Sequence, residues 1–169
     1  MGRADDSLRS SRLIFYKEDM ERIDRILDQF LQNANAKCAL LVDKDGHLVT
    51  KYGESSSYDI DTISALVAGS FAATKQMAKL LGEEEFSIMF HQGRKDNIQL
   101  SLVGDRTILA VVFDDKTTLG MVRLYASQVA SKLGQLFETI GKRKAGEGEQ
   151  MSKDFGKEAK GKLDDIFGS

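Results

Sequence analysis

Residues 86–115 read FSIMFHQGRKDNIQLSLVGDRTILAVVFDD, and this stretch decides the fold. It holds three apolar runs with only four and then two residues between them: 86–93, 98–104 and 107–115. Short apolar runs bounded by turn residues are typical of β-strands. Because connections this short can join only antiparallel neighbours, the stretch predicts a three-stranded antiparallel meander.

The segments on either side of this meander supply two further strands and three helices. KCALLVD (37–43), a Lys44-Asp45-Gly46 turn and HLVTKYG (47–53) predict a hairpin. Apolar residues at intervals of three and four predict three amphipathic helices: 16–34, a segment capped by Asp59 or Asp61 that ends near Gly82, and 118–140. The order is α-β-β-α-β-β-β-α, an α+β domain in which helices cover a five-stranded antiparallel sheet.

Composition divides the chain into four parts. Residues 1–12 are small and polar and predict a flexible N-terminal arm, and residues 13–141 form the α+β domain. Residues 142–153 have the balanced charge of a flexible polar linker. In the last part, 154–169, apolar residues share one side of a short amphipathic helix, which we expect to fold on a partner's groove. These residues are Phe155, Ala159, Leu163, Ile166 and Phe167.

Charge and hydropathy exclude several classes of function. The 169 residues carry a formal net charge of −2, so no global field attracts nucleic acid or an anionic membrane. The single cysteine, Cys38, excludes an internal disulfide and fits a reducing compartment. Without an apolar leader or a run of about eighteen apolar residues, the sequence predicts a cytoplasmic protein without membrane insertion.

No residue pattern indicates catalysis, a metal site or a cofactor. His47 and His91 lack a second histidine or a cysteine at a metal-ligand spacing. No phosphate-binding glycine motif lies between a strand and a helix, and no serine sits in a nucleophile elbow. Cys38 opens a strand that should pack into the core, and Arg94 and Arg106 are expected in solvated turns. We therefore expect a protein that acts through its partners.

The helix around residues 64–79, SALVAGSFAATKQMAK, has two unlike faces. One face gathers large apolar residues and is the expected core face: Ile63, Leu66, Val67, Phe71, Met77 and Leu81. The opposite face begins with three turns of small residues before long polar ones follow: Ala65, Ala68, Gly69, Ala72, then Lys75, Gln76 and Lys79. A solvated face normally carries long charged side chains throughout, so another backbone is expected to come close to this face.

Three quoted segments carry a family resemblance. The order of elements, with ALLVDKDGHLV (39–49), AKLLGEEEF (78–86) and ILAVVFDDKTTLGMVRL (108–124), resembles the Roadblock family of dynein-light-chain-like domains. The resemblance extends from about Tyr16 to Ile140. Within the family the chain is most similar to bacterial polarity proteins that act on MglA-type Ras-like small GTPases, and the terminal LDDIF is similar to their last segment.

The resemblance implies a homodimer whose sheets join through the strand 86–93, with Phe86, Ile88 and Phe90 along that edge. It also places the two second helices side by side and docks one MglA-type GTPase across the pair, in a 2:1 complex. The residues implied in GTPase binding are Ala65, Ala68, Gly69, Ala72, Lys75, Gln76 and Lys79 of the second helix, and Phe155, Leu163, Ile166 and Phe167 of the C-terminal segment.

The implied function is regulation of that GTPase, in the control of cell polarity and gliding motility. The chain itself would not be an enzyme: it would accelerate GTP hydrolysis on its partner, promote nucleotide exchange through the C-terminal segment, and concentrate at a cell pole. A passive dimeric adaptor or scaffold is the alternative function. For the small residues of the second helix, the alternative is that they pack only on their symmetry mate.

Overall fold

The structure is a computed structural model that describes residues 15–167, without the side chains of 144, 145 and 147–155. The predicted N-terminal arm, residues 1–12, lies outside the described residues. The chain forms two compact units, one of residues 16–135 and one that includes Phe15 and the segment from Leu136 onward.

The described residues contain helices and strands in the predicted order. In chain order these are α1 (Lys17–Ala34), β1 (Cys38–Asp43), β2 (Leu48–Gly53), α2 (Ile60–Leu80), β3 (Ile88–Gln92), β4 (Asn97–Val103), β5 (Thr107–Phe113) and α3 (Leu119–Phe167). The predicted α+β class is therefore confirmed. Among these helices, none is long and apolar enough to cross a membrane.

The five strands form one antiparallel sheet in the order β2-β1-β5-β4-β3. The meander predicted from residues 86–115 is present, because β3, β4 and β5 are consecutive neighbours. β1 pairs with the free side of β5, so Ala110 has Leu40 on one side and Leu100 on the other. This order leaves β2 and β3 at the two edges of the sheet.

One face of the sheet packs against α2. Side chains from the three central strands meet Ile60, Val67 and Phe71 of the helix in a single buried cluster. The strand residues in that cluster are Leu40, Val42, Leu100, Ile108 and Ala110. This packing holds α2 in place and determines which of its residues can meet a partner.

The opposite face of the sheet is also covered. Leu41, Leu109 and Val111 alternate with the residues that face α2, and they are fully buried as well. Helix α1 and the first part of α3 supply the covering residues, and a groove lined by Phe30 and Val129 lies where these two helices meet. The buried helical residues include Ile23, Leu27, Phe30, Val122, Ala126, Val129 and Leu133.

Local hydrogen bonds fix the ends of α1. At its start, the Asp19 carboxylate accepts a hydrogen bond of 2.9 Å from the backbone nitrogen of Tyr16. At its end, Asn35 adopts the left-handed conformation with φ of 53°, and its side-chain amide donates to the carbonyl of Lys116 at 2.9 Å. Asparagine is one of the few residues besides glycine that often adopt this conformation at a helix end, and here its side chain also ties the helix end to the segment before α3.

The C-terminal region differs from the expected flexible linker. Residues 142–153 have helical backbone, and α3 continues to Phe167. Lysine, arginine, glutamate, glutamine, alanine and methionine all favour helix, and the chain contains no proline to end one. Gly146 and Gly148, which cost about 1 kcal/mol each relative to alanine, do not interrupt it. The predicted C-terminal helix is present, while the division into domain, linker and terminal segment stays a prediction.

Candidate functional site

The candidate site is the outer surface of α2, and hydrogen bonds at both ends hold this helix in place. Asp59 is the N-cap: its carboxylate accepts hydrogen bonds from the backbone nitrogen of Thr62 at 3.2 Å and from the Thr62 hydroxyl at 2.7 Å. These bonds lower the pKa of Asp59. At the other end Gly82, with φ of +80°, donates to the carbonyl of Lys79, and Glu83 donates to that of Ala78. This pairing closes the helix.

The buried face of α2 agrees only in part with the predicted one, since Val67 and Phe71 are buried as predicted. It consists of Ile60, Ser64, Val67, Ala68, Phe71 and Ala78. Leu66, Met77 and Leu81 were assigned to the core but are 65%, 52% and 72% exposed. The prediction was wrong for these three residues. Helical periodicity separates apolar positions from polar ones, but it does not show whether an apolar residue packs in the chain's own core or faces outward.

A backbone does approach the small residues, and it belongs to this same chain. Gly46 lies in the turn between β1 and β2 with φ of +91°. A Cβ added there would lie 3.3 Å from the Cα of Ala65 and 3.8 Å from the Cβ atoms of Ala65 and Ala68. Ala65 and Ala68 are therefore small because this turn packs against them. Ala68 is buried, which corrects its predicted place on an outward face.

Two outward surfaces remain on α2. The small-residue stripe comprises Ala65, Gly69, Ala72, Gln76 and Lys79, all of them exposed. The apolar stripe comprises Leu66, Ala73, Met77 and Leu80, of which Leu80 is 87% exposed. At about 100° per residue the two stripes lie about a quarter turn apart. The helix therefore presents two adjacent surfaces of different chemistry.

A small cavity of about 120 Å³ opens beside the small-residue stripe. Ala68, Phe71 and Ala72 supply its apolar lining. Its remaining lining comes from Lys75 and from an ion pair in which Lys44 Nζ lies 3.0 Å from Glu85 Oε1. Lys44 belongs to the turn after β1 and Glu85 to the connection between α2 and β3, so three separate segments build the cavity.

The free edge of the sheet at β3 is also a candidate contact surface. Ile88 is about half exposed, and Phe86 precedes the strand. Phe90 instead stacks on Phe113 with ring centroids 6.0 Å apart, so its ring is already used within the chain. The outer edge of β3 has no neighbouring strand among the described residues. An unpaired edge of this kind is open to pairing with another chain.

The predicted C-terminal contact residues lie in the second unit. Leu163, Ile166 and Phe167 are exposed, and their spacing in α3 places them on one side of the helix. Phe155 lies in the helical backbone, but its side chain is outside the described ones. This segment therefore carries an exposed apolar surface.

The residues considered for chemistry do not come together. Burial raises the pKa of the Cys38 thiol to about 11, so it is protonated at neutral pH and is a weak nucleophile. His47 lies just before the edge strand β2, and His91 lies in β3 at the opposite edge, so four strand spacings of about 4.8 Å, roughly 19 Å across the sheet alone, separate them. Among the described residues, no group of three His, Cys, Asp or Glu side chains could hold a metal ion.

A sequence model of the Roadblock/LC7 domain matches residues 22–113, more than half of the chain. The chain belongs to the Roadblock/LC7 family.

Three solved structures resemble this Roadblock protein over most of its length. MglB from Myxococcus xanthus is 39% identical, with a TM-score of 0.71, over 76% of this chain and 96% of that one. The gliding protein MglB from Thermus thermophilus is 32% identical, with a TM-score of 0.71, over 75% and 96%. An MglB described as having a tetrameric arrangement is 32% identical, with a TM-score of 0.72, over 76% and 96%. The sequence resemblance and the fold that it implied are confirmed.

Sequence reasoning missed two features of the Roadblock site. The cavity was missed because Lys44 and Glu85 lie far apart in sequence, in a turn and in an acidic run that both look like solvated loops. The apolar stripe was missed because two of its members, Leu66 and Met77, were assigned to the core. The sequence did contain a signal for this stripe. Its residues are spaced by seven, four and three positions, which places them on a helix face separate from that of Val67 and Phe71.

Proposed function

We propose that this Roadblock protein is a dimeric regulator of an MglA-type Ras-like small GTPase, and that it is not itself an enzyme. The observation that carries the proposal is the pair of adjacent stripes on α2, one apolar and one of small and polar residues. The likeness to MglB structures supports a role in an MglA-type polarity system. One stripe serves the second copy of the chain, and the other serves the GTPase.

The apolar stripe pairs the two copies. Leu66, Met77 and Leu80 are more than half exposed in the single chain. Fully burying a side chain of this size contributes about 1.5–3 kcal/mol, so burial against a symmetric α2 favours association. The open β3 edge adds backbone hydrogen bonds to the same dimer, which continues one sheet into the other.

The small-residue stripes of both copies then form one docking surface for a single GTPase, in a 2:1 complex. A Cβ added at Gly69 would meet nothing within 4 Å, and Ala72 is exposed, so a switch loop can approach the helix backbone here. Lys75, Gln76 and Lys79 supply polar contacts beside it. Holding the switch loops in place lets the GTPase's own glutamine and arginine stabilise the transition state.

The C-terminal segment makes a second contact with the GTPase. Its exposed side chains Leu163, Ile166 and Phe167 share one side of the helix, as in segments that dock into an apolar groove. A second linked contact raises the effective concentration of the first. This contact lies away from the switch loops and promotes nucleotide exchange.

The test is single-turnover GTP hydrolysis by the MglA-type GTPase encoded in the same genome, with and without the chain. We expect stimulation of at least about tenfold, and no hydrolysis by the chain alone. Gly69→Arg should abolish stimulation, whereas Ser127→Arg, which adds the same side chain at an exposed position of α3, should not.

Three results contradict parts of the proposal. Binding without stimulation would identify a passive adaptor instead of an activator. Full stimulation by Gly69→Arg would remove the small-residue stripe from the docking surface. Loss of the dimer in Gly69→Arg would show that the stripe packs on its symmetry mate.

A further inference from the structure

The cavity beside the small-residue stripe is an unfilled recess with an apolar interior. Phe71 is 3% exposed and Ala68 is 7% exposed, so both belong to the chain's own packed interior, and Ala72 stands at the opening. Larger side chains at 68 and 72 would fill this space. Atoms that line an empty recess lack contacts on one side, which an inserted side chain would supply.

The rim of the cavity carries an uncompensated positive charge. Lys44 is paired with Glu85, and the two charges offset each other. Lys75, which is half-buried, forms no ion pair with any side chain that the structure describes. Lys79 follows one turn later on the exposed surface. The rim therefore complements a partner surface that carries a carboxylate.

We propose that this cavity is the socket for one aliphatic side chain of the docked GTPase, and that a carboxylate beside that side chain pairs with Lys75. The volume of about 120 Å³ is below the roughly 150 Å³ that admits benzene, so leucine, isoleucine or methionine fits and an indole does not. The inference rests on the proposed function and adds to it the type of residue that is recognised. Anchors of this kind, buried in a pocket, carry much of the free energy of an interface.

The experiment fills the cavity with a larger side chain introduced into this protein. Ala72→Leu places a branched side chain at the opening, whereas Ser127→Leu adds a leucine at an exposed position of α3, outside the docking surface. Binding of the full-length variants to the MglA-type GTPase encoded in the same genome, loaded with a non-hydrolysable GTP analogue, is measured by calorimetry. We expect Ala72→Leu to weaken affinity about tenfold or more, and Ser127→Leu to change it less than threefold. Lys75→Gln should weaken binding more than Lys79→Gln.

A double-mutant cycle identifies the inserted side chain. Aliphatic residues of the GTPase that neighbour an acidic residue are replaced one at a time by alanine. The inserted residue is the one whose replacement weakens binding to the parent chain but has no further effect on binding to Ala72→Leu.

The outcomes separate this inference from the proposed function. If the parent chain does not bind the GTPase, the proposed function fails and the socket fails with it. If the parent binds and Ala72→Leu binds equally well, only the socket is wrong. Equal losses in Ala72→Leu and Ser127→Leu, or loss of the dimer in Ala72→Leu alone, would also overturn the socket.

Discussion

Replacing Gly46 with alanine tests whether the β1–β2 turn is the reason for the small residues of α2. Alanine at φ of +91° is strained by about 1–2 kcal/mol, a cost that glycine does not have. The new Cβ would also lie 3.3 Å from the Cα of Ala65, a backbone atom that moves only with the helix. Overpacking of this kind typically costs about 1–3 kcal/mol. Alanine regains about 0.4–1 kcal/mol by restricting the unfolded chain, which leaves a net destabilisation of about 1–4.5 kcal/mol.

Gly104→Ala is the matched control. Gly104 also has a positive φ, +64°, in a turn between strands, but a Cβ there would meet nothing within 4 Å. Alanine at position 104 therefore has the backbone strain but not the close contact. We expect its free energy of unfolding to fall by about 1 kcal/mol. The assay is urea unfolding of both variants at one protein concentration, because association changes apparent stability. Equal losses in the two variants would refute the packing of the turn against α2.

Three further predictions concern the dimer, the C-terminal segment and the thiol. Leu80→Asp should reduce the mass measured by light scattering from about twice the 18.7 kDa of the chain to that of a single chain. Leu124→Asp, which changes another exposed leucine, should remain dimeric. If both variants are dimers, the apolar stripe is not part of the interface. Deleting 150–169 should preserve the dimer but weaken GTPase binding and slow nucleotide release, and unchanged values for both would show that the segment makes no contact. Because burial raises the pKa of Cys38 to about 11, stability should fall between about pH 9 and pH 11, as the unfolded thiol ionises and the folded one does not. Cys38→Ala should lose this part of the pH dependence, and identical pH profiles would contradict the burial effect.

The fold was predictable because local signals and chain geometry agree. The two connections inside residues 86–115 are too short for anything but antiparallel neighbours, so the meander follows from length alone. The position of β1 beside β5 does not follow from connection lengths. The segment CALLVD is apolar throughout, which indicates a strand buried on both faces without saying which strands flank it. The strand order beside β1 therefore came from the structure and was not predicted from the sequence.

The C-terminal helix shows where composition misleads. A balanced run of charges is common to flexible linkers and to solvated helices, and residues 142–153 fit both descriptions. Gly146 and Gly148 favoured the linker. The other residues of 142–153 are mostly good helix formers, and the structure has helical backbone throughout this range.

The apolar residues of α2 show why a partner-binding surface is hard to separate from a core. Hydrophobic periodicity indicates that a residue avoids water, but not which molecule covers it. Leu66, Met77 and Leu80 are exposed in the single chain, while the small residues Ser64, Ala68 and Ala78 fill the interior. Because Ser64, Ala68 and Ala78 are the small residues on its inner face, the helix lies close to the sheet, and its exposed leucines remain available to another surface. On the proposed function, that surface is the second copy, and the same close packing of the hairpin turn leaves the recess beside Ala72 open to the GTPase.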